Sequence, residues 1–93
     1  MRYIHLLCLQ ALAGEPVITV SEFDDDGFEN RRVDISRSGQ IGWAGDHGSS
    51  GNTESGTYQF FNMDQFDDEP FVAVEITRED FENHWALAMR APK

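Results

Sequence analysis

The chain has 93 residues, 40% of them hydrophobic, and carries a formal net charge of -10 at pH 7. This length predicts a single domain, residues 1–93, and the hydrophobic content argues against disorder. We expect no direct binding to nucleic acid or to an anionic membrane, because like charges repel over the whole approach.

The N-terminal segment predicts a first strand rather than a targeting signal. It begins with Arg2 and is apolar, but His5 and Gln10 interrupt it, whereas a signal peptide needs a core of about 7–15 apolar residues. No run reaches transmembrane length. Cys8 is the only cysteine, which excludes an intramolecular disulfide and a cysteine zinc cluster. These features together favour a cytoplasmic protein.

The remaining pattern predicts an α+β domain, an antiparallel meander of about five strands with one C-terminal helix packed on one face. Two turns join strands in this pattern, "DDDG" at Asp24–Gly27 and a second around Ser38-Gly39. The Gly/Ser-rich Gly45–Gly56 predicts a mobile loop, and the ambiguous Tyr58–Phe66 fits a short strand that leads into a single helical turn around Met63–Phe66. The predicted strands are Arg2–Leu9, Val17–Phe23, Arg31–Arg37, Gln40–Ala44 and Phe71–Ile76.

The C-terminal helix is the clearest element, predicted over Arg78–Arg90. Thr77 is followed three residues later by Asp80, a pattern close to a capping box. The helix ends at Arg90, whose charge suits the negative end of the helix dipole. The apolar stripe expected to seat it on the sheet consists of Phe81, Trp85, Ala88 and Met89.

The acidic residues are concentrated in two blocks. Residues 15–29 hold six acids and no base, and residues 64–82 hold eight acids and one base, Arg78. Such clustering is typical of a surface that meets a basic partner, and also of a surface that only maintains solubility. The candidate partner-binding residues are Glu22, Asp24, Asp25, Asp26 and Glu29 in the first block, and Asp67, Asp68 and Glu69 in the second.

The first block imitates a calcium loop but departs from it. With Gly27 at the sixth position of an EF-hand loop, Glu22, Asp24 and Asp26 fall at ligand positions, yet Val33 stands where a bidentate glutamate is required. The flanking segments predict strands rather than helices. A hairpin turn without a metal is therefore the better interpretation, and no cofactor is expected.

A hydrolase is the alternative from a different class. Asp46, His47 and Ser49 are suitable residue types, but neighbours in a flexible loop seldom converge on a rigid oxyanion site. The three histidines His5, His47 and His84 lie on different predicted elements without metal-ligand spacing. We therefore expect no enzymatic activity.

Arg31 and Arg32 have a structural interpretation. On a strand, one of them shares a face with Val33 and the other points away. We expect the inward arginine to pair with Glu22 or Glu29 across the hairpin and so to fix its register. Asp24, Asp25 and Asp26 would then project from the turn without partners.

Three segments resemble a family of small uncharacterised bacterial proteins of about this size. They are "SEFDDDGFENRRVDI", "SGQIGWAG" and "FVAVEITREDFENHW", and the chain departs from the family pattern at Gly45–Asp68. Members of such families often look like immunity proteins of bacterial toxin systems. The resemblance therefore implies a protein-binding inhibitor of immunity type.

Together, charge and resemblance predict an acidic inhibitor that blocks a basic, nucleic-acid-processing protein, because carboxylates can occupy the places of phosphates. A phage-encoded inhibitor of a host defence complex, a nucleic-acid mimic resembling an anti-CRISPR protein, is an alternative on the same physics. A house-keeping interaction domain is a further one.

Overall fold

A computed structural model describes residues 1–12, 15–45, 48–50 and 70–90 of the chain. These ranges contain six strands and one helix: β1 (Arg2–Cys8), β2 (Pro16–Phe23), β3 (Glu29–Ser36), β4 (Ile41–Gly45), β5 (Gly48–Ser50), β6 (Phe71–Ile76) and α1 (Arg78–Arg90). The predicted α+β architecture is confirmed. The strand count was low because Gly48–Ser50, three residues of weak β propensity inside the predicted loop, pairs with β4. The ambiguous Tyr58–Phe66 lies outside the described residues.

The strands form one antiparallel sheet in the order β5-β4-β3-β2-β1-β6. The first five follow one another as a meander, and β6 returns to pair with β1. Gly27 (φ 87°) and Gly39 (φ 88°) supply the positive φ of the two predicted turns, a backbone conformation that glycine adopts without a steric cost. The strand register places the β2–β3 turn, the start of β1 and the start of α1 at the same end of the sheet.

The main core lies between the sheet and α1. Phe81 and Ala88 of the helix are almost completely buried, with Val20 and Val33 of the two central strands beneath them. Trp85 packs at the side of this cluster, with its ring edge-on to Trp43 at 5.7 Å between centroids. The predicted stripe is therefore right for these helix residues. It is wrong for Met89, which is 44% exposed, because it lies about 100° around the helix from Ala88.

Both ends of α1 carry the predicted signals. The Thr77 hydroxyl accepts a hydrogen bond from the Asp80 N–H at 3.1 Å, which satisfies one of the unpaired donors of the first turn. At the other end, Arg90 Nε donates to the Ala86 carbonyl at 3.3 Å. The cap fixes where the helix leaves β6 and thus how its first turns cross the sheet.

The sheet also buries residues on the face away from α1. Ile4 and Phe23 are 2% and 1% exposed and form a second apolar cluster, with Ala73 of β6 packed against it. Strands β1 and β2 therefore bury side chains on both faces, and a change in their register would expose apolar side chains on either side.

Replacing Phe81 by Ala is expected to lower the free energy of unfolding by about 3–5 kcal/mol, because a fully buried aromatic side chain leaves a cavity. Met89→Ala is the matched control on the same helix, with an expected change within about 0.5 kcal/mol. Denaturant titration followed by tryptophan fluorescence measures both. Equal effects of the two substitutions would contradict the helix orientation described above.

Candidate functional site

Arg31 is the centre of an ion cluster on the helix side of the sheet. Its Nε and Nη2 donate to the two carboxylate oxygens of Glu22 at 2.8 and 2.7 Å. Its Nη1 and Nη2 also donate to the two oxygens of Glu82 on α1 at 3.0 and 3.1 Å. The planar guanidinium, with five N–H donors, is suited to binding two carboxylates in this paired manner. Arg31 therefore links β2, β3 and the helix.

Aromatic rings complete the surroundings of this guanidinium. The Arg31 Cζ atom lies 4.8 Å from the ring centroid of Phe81 and 5.0 Å from that of Trp85, within the range of a cation–π interaction. The hydrogen bonds from Arg31 hold the pKa of Glu22 below its ordinary value, in opposition to burial. Burial, followed by the nearby charge of Glu22, raises the pKa of Tyr3. This cluster is a structural centre, with its charges paired.

A second polar cluster lies on the opposite face of the sheet. The Ser21 hydroxyl donates to Glu29 at 2.6 Å, and Arg32 Nε donates to Asp34 at 2.9 Å. The same Asp34 oxygen accepts a hydrogen bond from Thr19 at 2.8 Å. Arg32 also forms a longer ion pair with Glu29, at 4.0 Å. The predicted division of the two arginines between the faces is confirmed, and Glu22 is the partner of the inward one.

Glu29 reaches this face because of a β-bulge. Simple alternation would place Glu29 on the same face as Arg31, two residues later. The register instead pairs Glu22 with Arg31 but Phe23 with Glu29, so that Asn30 is the additional residue. A bulge of this kind reverses the side on which the preceding residues point. The sequence carries no signal for it beyond the turn itself.

These clusters alter the predicted set of partner-binding acids. Glu22 and Glu29 are only 6% and 4% exposed, so they lie beneath the surface and belong to the interior ion pairs. Their inclusion in a surface patch is corrected for that reason. Asp67, Asp68 and Glu69 lie outside the described residues. The described part of the candidate set that reaches the surface is the β2–β3 turn.

The turn is held by Asp24. Its Oδ1 accepts hydrogen bonds from the N–H groups of Asp26 and Phe28, both at 3.0 Å. Its own N–H donates to the Phe28 carbonyl at 2.9 Å, and its carbonyl accepts from Gly27 N–H at 2.9 Å. This is the local bonding that makes aspartate favourable in turns. The prediction that all three aspartates project without partners is therefore wrong for Asp24, whose carboxylate fixes the backbone, and for Asp25, which pairs with the N-terminal ammonium.

Three side chains project from this fixed backbone, those of Asp25, Asp26 and Phe28. The Asp25 side chain is 96% exposed and forms an exposed ion pair with the N-terminal ammonium at 3.0 Å. Asp26 is exposed as well, and Phe28 is 54% exposed. We call these three residues the acidic tip. An exposed phenylalanine on this acidic turn was not among the sequence candidates, although the order Asp-Asp-Gly-Phe contains it.

Additional exposed acids lie at the same end of the sheet. Glu79 and Asp80 occupy the first turn of α1, and both are exposed. Their position suits the positive end of the helix dipole. Helix capping accounts for them locally, but they also extend the negative potential of the acidic tip. They were counted in the second acidic block and were not selected as candidates.

Two of the histidines, although distant in the sequence, lie close together in the structure. The rings of His5 on β1 and His84 on α1 lie edge to face with centroids 6.0 Å apart. His84 Nδ1 donates to the Asp80 carbonyl at 2.9 Å. Burial, with a smaller contribution from His84, lowers the pKa of His5. In the described ranges no three His, Cys, Asp or Glu side chains come together as a metal site.

Of the three residues of the hydrolase alternative, the structure describes one, Ser49. Asp46 and His47 lie outside the described residues, and Ser49 is an exposed residue of the short edge strand β5. The expectation that the protein is not an enzyme stays a prediction. In the described part of the chain, no helix has the length and apolar character that crossing a bilayer requires.

A family model described as "Domain of unknown function (DUF6881)" matches residues 2–90. The chain belongs to this family. The DUF6881 match runs from the first residue of β1 to the last residue of α1, and so includes both the Arg31 cluster and the acidic tip. The predicted resemblance to a family of small proteins is confirmed at that level, whereas the immunity role stays a prediction. No curated protein and no solved structure matches the chain.

The Arg31 cluster predicts a pH dependence of stability. Because the folded-state pKa of Glu22 lies below its ordinary value of 4.5, the unfolded chain takes up this proton first as the pH falls. The stabilisation is fully present above about pH 4.5 and is lost as the pH falls through the folded-state value. Glu22→Gln should therefore lower the free energy of unfolding by about 1–3 kcal/mol at pH 7, with a smaller difference from the parent at low pH.

Asp26→Asn provides the control, because this carboxylate is exposed. Its effect on the free energy of unfolding should stay within about 0.5 kcal/mol at both pH values. Urea titrations between neutral and acidic pH measure the two variants and the parent. A Glu22→Gln variant whose difference from the parent is independent of pH would contradict the role of its carboxylate.

Proposed function

We propose that the protein is a small acidic inhibitor of immunity type, which binds a basic, nucleic-acid-processing protein through the acidic tip. The observation that carries the proposal is Phe28, an exposed aromatic side chain on the same hydrogen-bonded turn as the exposed carboxylates of Asp25 and Asp26. No catalytic step is assigned to the protein in this proposal.

The rigidity of the turn supports a binding role. Asp24 fixes the backbone of Asp26 and Phe28 through three hydrogen bonds, so little conformational entropy is lost when a partner orders these residues. Binding sites that are already ordered lose less free energy on association than flexible ones. A solvating acidic loop would need no such bonding and no aromatic residue at its end.

The composition of the tip supports a protein as the partner. Binding energy in protein interfaces is concentrated in a few side chains, among which aromatic residues are enriched, and polar groups surround them. Phe28 has the position of such an anchor, and the carboxylates of Asp25 and Asp26 have that of the rim. A metal ion would be bound by the carboxylate oxygens alone, and the phenylalanine would contribute no ligand to it.

The charge supports a basic partner. Glu22 and Glu29 are paired with arginines in the interior, whereas Asp25, Asp26, Glu79 and Asp80 are exposed at one end of the sheet. Carboxylates in this position attract a cationic surface over about 8–10 Å at ordinary ionic strength. A protein that holds nucleic-acid phosphates presents such a surface. The same physics serves immunity against a toxin and inhibition of a host defence complex, so the identity of the captured partner distinguishes them.

Affinity capture from a lysate of the source organism identifies the partner, and kinetic binding measurements then test the tip. Asp25→Asn with Asp26→Asn should slow association and weaken its salt dependence, because charged rims act on the approach rate. Asp67→Asn with Asp68→Asn removes the same charge from the second acidic block. If both double variants slow association equally, net charge alone acts and the tip is not the site.

Phe28→Ala tests the anchor separately. We expect the thermal midpoint to stay close to that of the parent, because the side chain is largely exposed, and the dissociation rate to rise. A loss of about 2 kcal/mol or more in binding free energy is typical of an interface anchor. Leu12→Ala, at another exposed apolar residue (70% exposed), should leave binding unchanged. Unchanged kinetics in Phe28→Ala would remove the main support for the proposal.

A further inference from the structure

The outer strand β6 has an edge that is open in the described part of the chain. The sheet ends with β6 on one side and β5 on the other. Strand β5 has only three residues, Gly48–Ser50, which is a usual means of limiting unwanted pairing at an edge. Strand β6 has six residues, "FVAVEI", and offers about 20 Å of edge. The two edges are thus very different in what they present to solvent.

The hydrogen-bonding pattern shows which backbone groups point outward. Leu9 N–H donates to the Pro70 carbonyl at 3.0 Å, and the register continues from this pair along β1 and β6. Bonded pairs alternate in an antiparallel ladder, so every second residue of β6 turns its N–H and C=O groups away from β1. These residues are Phe71, Ala73 and Glu75.

The side chains beside this edge are apolar and exposed. On the helix side, Val72 and Val74 are 44% and 52% exposed, because α1 packs chiefly over β1 to β4. Leu87 of α1 is 53% exposed, and helical spacing puts it on the same flank as His84, which faces β1. On the other side, Phe71 is 42% exposed. The charged residue of the strand, Glu75, is paired with Arg2 at 2.8 Å.

Natural proteins protect long edge strands with charges, prolines or bulges, because an open apolar edge invites another strand. In β6 the one charge is paired, and its proline, Pro70, stands before the strand. We propose that this edge is a docking site at which an extended, cationic segment of a partner protein adds beside β6 as a further strand. Its apolar side chains would lie on Val72 and Val74.

Charge decides in favour of a cationic segment over a second copy of the chain. The sequence places Asp67, Asp68 and Glu69 directly before Pro70, and Glu79 and Asp80 soon after Ile76. Both ends of β6 are therefore flanked by acids. Antiparallel pairing of two copies would bring the acidic end of one chain against that of the other, each molecule carrying -10. A lysine- or arginine-rich strand meets complementary charge at both ends.

This inference shares with the proposed function the sign of the partner's charge and the exposed acids Glu79 and Asp80, but its binding groups are different. The acidic tip lies beyond the ends of β2 and β3, and β6 is separated from β2 by β1. Substitutions at the tip and at the edge can therefore affect binding independently, so one proposal can be wrong while the other is right. Loss of binding in tip variants with an unaffected edge, or the reverse, distinguishes the two sites.

A short alternating Lys-Val peptide is the probe, with the full ¹⁵N-labelled protein observed by NMR. We expect it to shift the amide signals of Phe71, Ala73 and Glu75. The control peptide has the same sequence and charge but N-methyl groups that prevent strand pairing. Its affinity should be lower by at least about tenfold. Equal affinity of the two peptides, or shifts centred on residues 24–28, would overturn the inference.

Variants of the protein complete the test. Ala73→Pro removes one outward N–H and leaves the hydrogen bonds to β1. It should therefore lower the affinity for the Lys-Val peptide but not the affinity for the N-methylated peptide. Val74→Lys should weaken binding more than Leu12→Lys, which adds the same charge at an exposed residue elsewhere. If sedimentation shows a dimer of the parent that Val74→Lys dissociates, the occupant is a second copy and the proposal is wrong. Should Ala73→Pro fail to fold, the peptide pair still decides.

Discussion

The Arg31 guanidinium is the interaction on which the arrangement of helix and sheet depends. It binds the carboxylate of Glu22 from the neighbouring strand and that of Glu82 from α1, and two aromatic rings of the helix lie against it. Apolar packing is not directional, so Phe81 and Ala88 alone would tolerate a helix that slides along the sheet. Paired, oriented hydrogen bonds to both elements permit far fewer positions. Gly45 adds to this constraint, because a Cβ there would lie 3.2 Å from the Trp85 ring.

The same interaction divides the acidic residues of the chain into two groups. Some serve the interior, where each arginine of the "RR" pair takes one face of β3 and is paired with carboxylates. Others stay at the surface, as at the acidic tip and the first turn of α1. A high negative charge destabilises a compact state by self-repulsion. The interior pairs reduce that repulsion where burial would make it largest, and the surface acids keep their long-range field.

The two surfaces proposed for binding differ in physical character. The acidic tip combines a fixed turn, exposed carboxylates and one aromatic side chain, and in the proposal it would bind through charge and a single anchor. The edge of β6 offers backbone donors and acceptors with apolar side chains beside them, and in the proposal it would bind through strand pairing. The tip lies at the end of β2 and β3, whereas the second surface runs along the outer strand β6, with exposed side chains on the helix side as well. In the sheet, β1 alone separates β6 from the strand that leads to the tip.

The sequence by itself determined the local elements: the strands with their alternation, the two glycine turns, and a helix whose start and end match the structure, Arg78–Arg90. These depend on neighbours in the chain, which the sequence shows directly. Only the tertiary structure decided that Glu22 and Glu29 are buried, that the bulge at Asn30 turns Glu29 away from Arg31, that His5 meets His84, and that β6 is an outer strand. Each of these depends on residues distant in sequence or on a shift of one residue in register, for which composition and periodicity contain no measure.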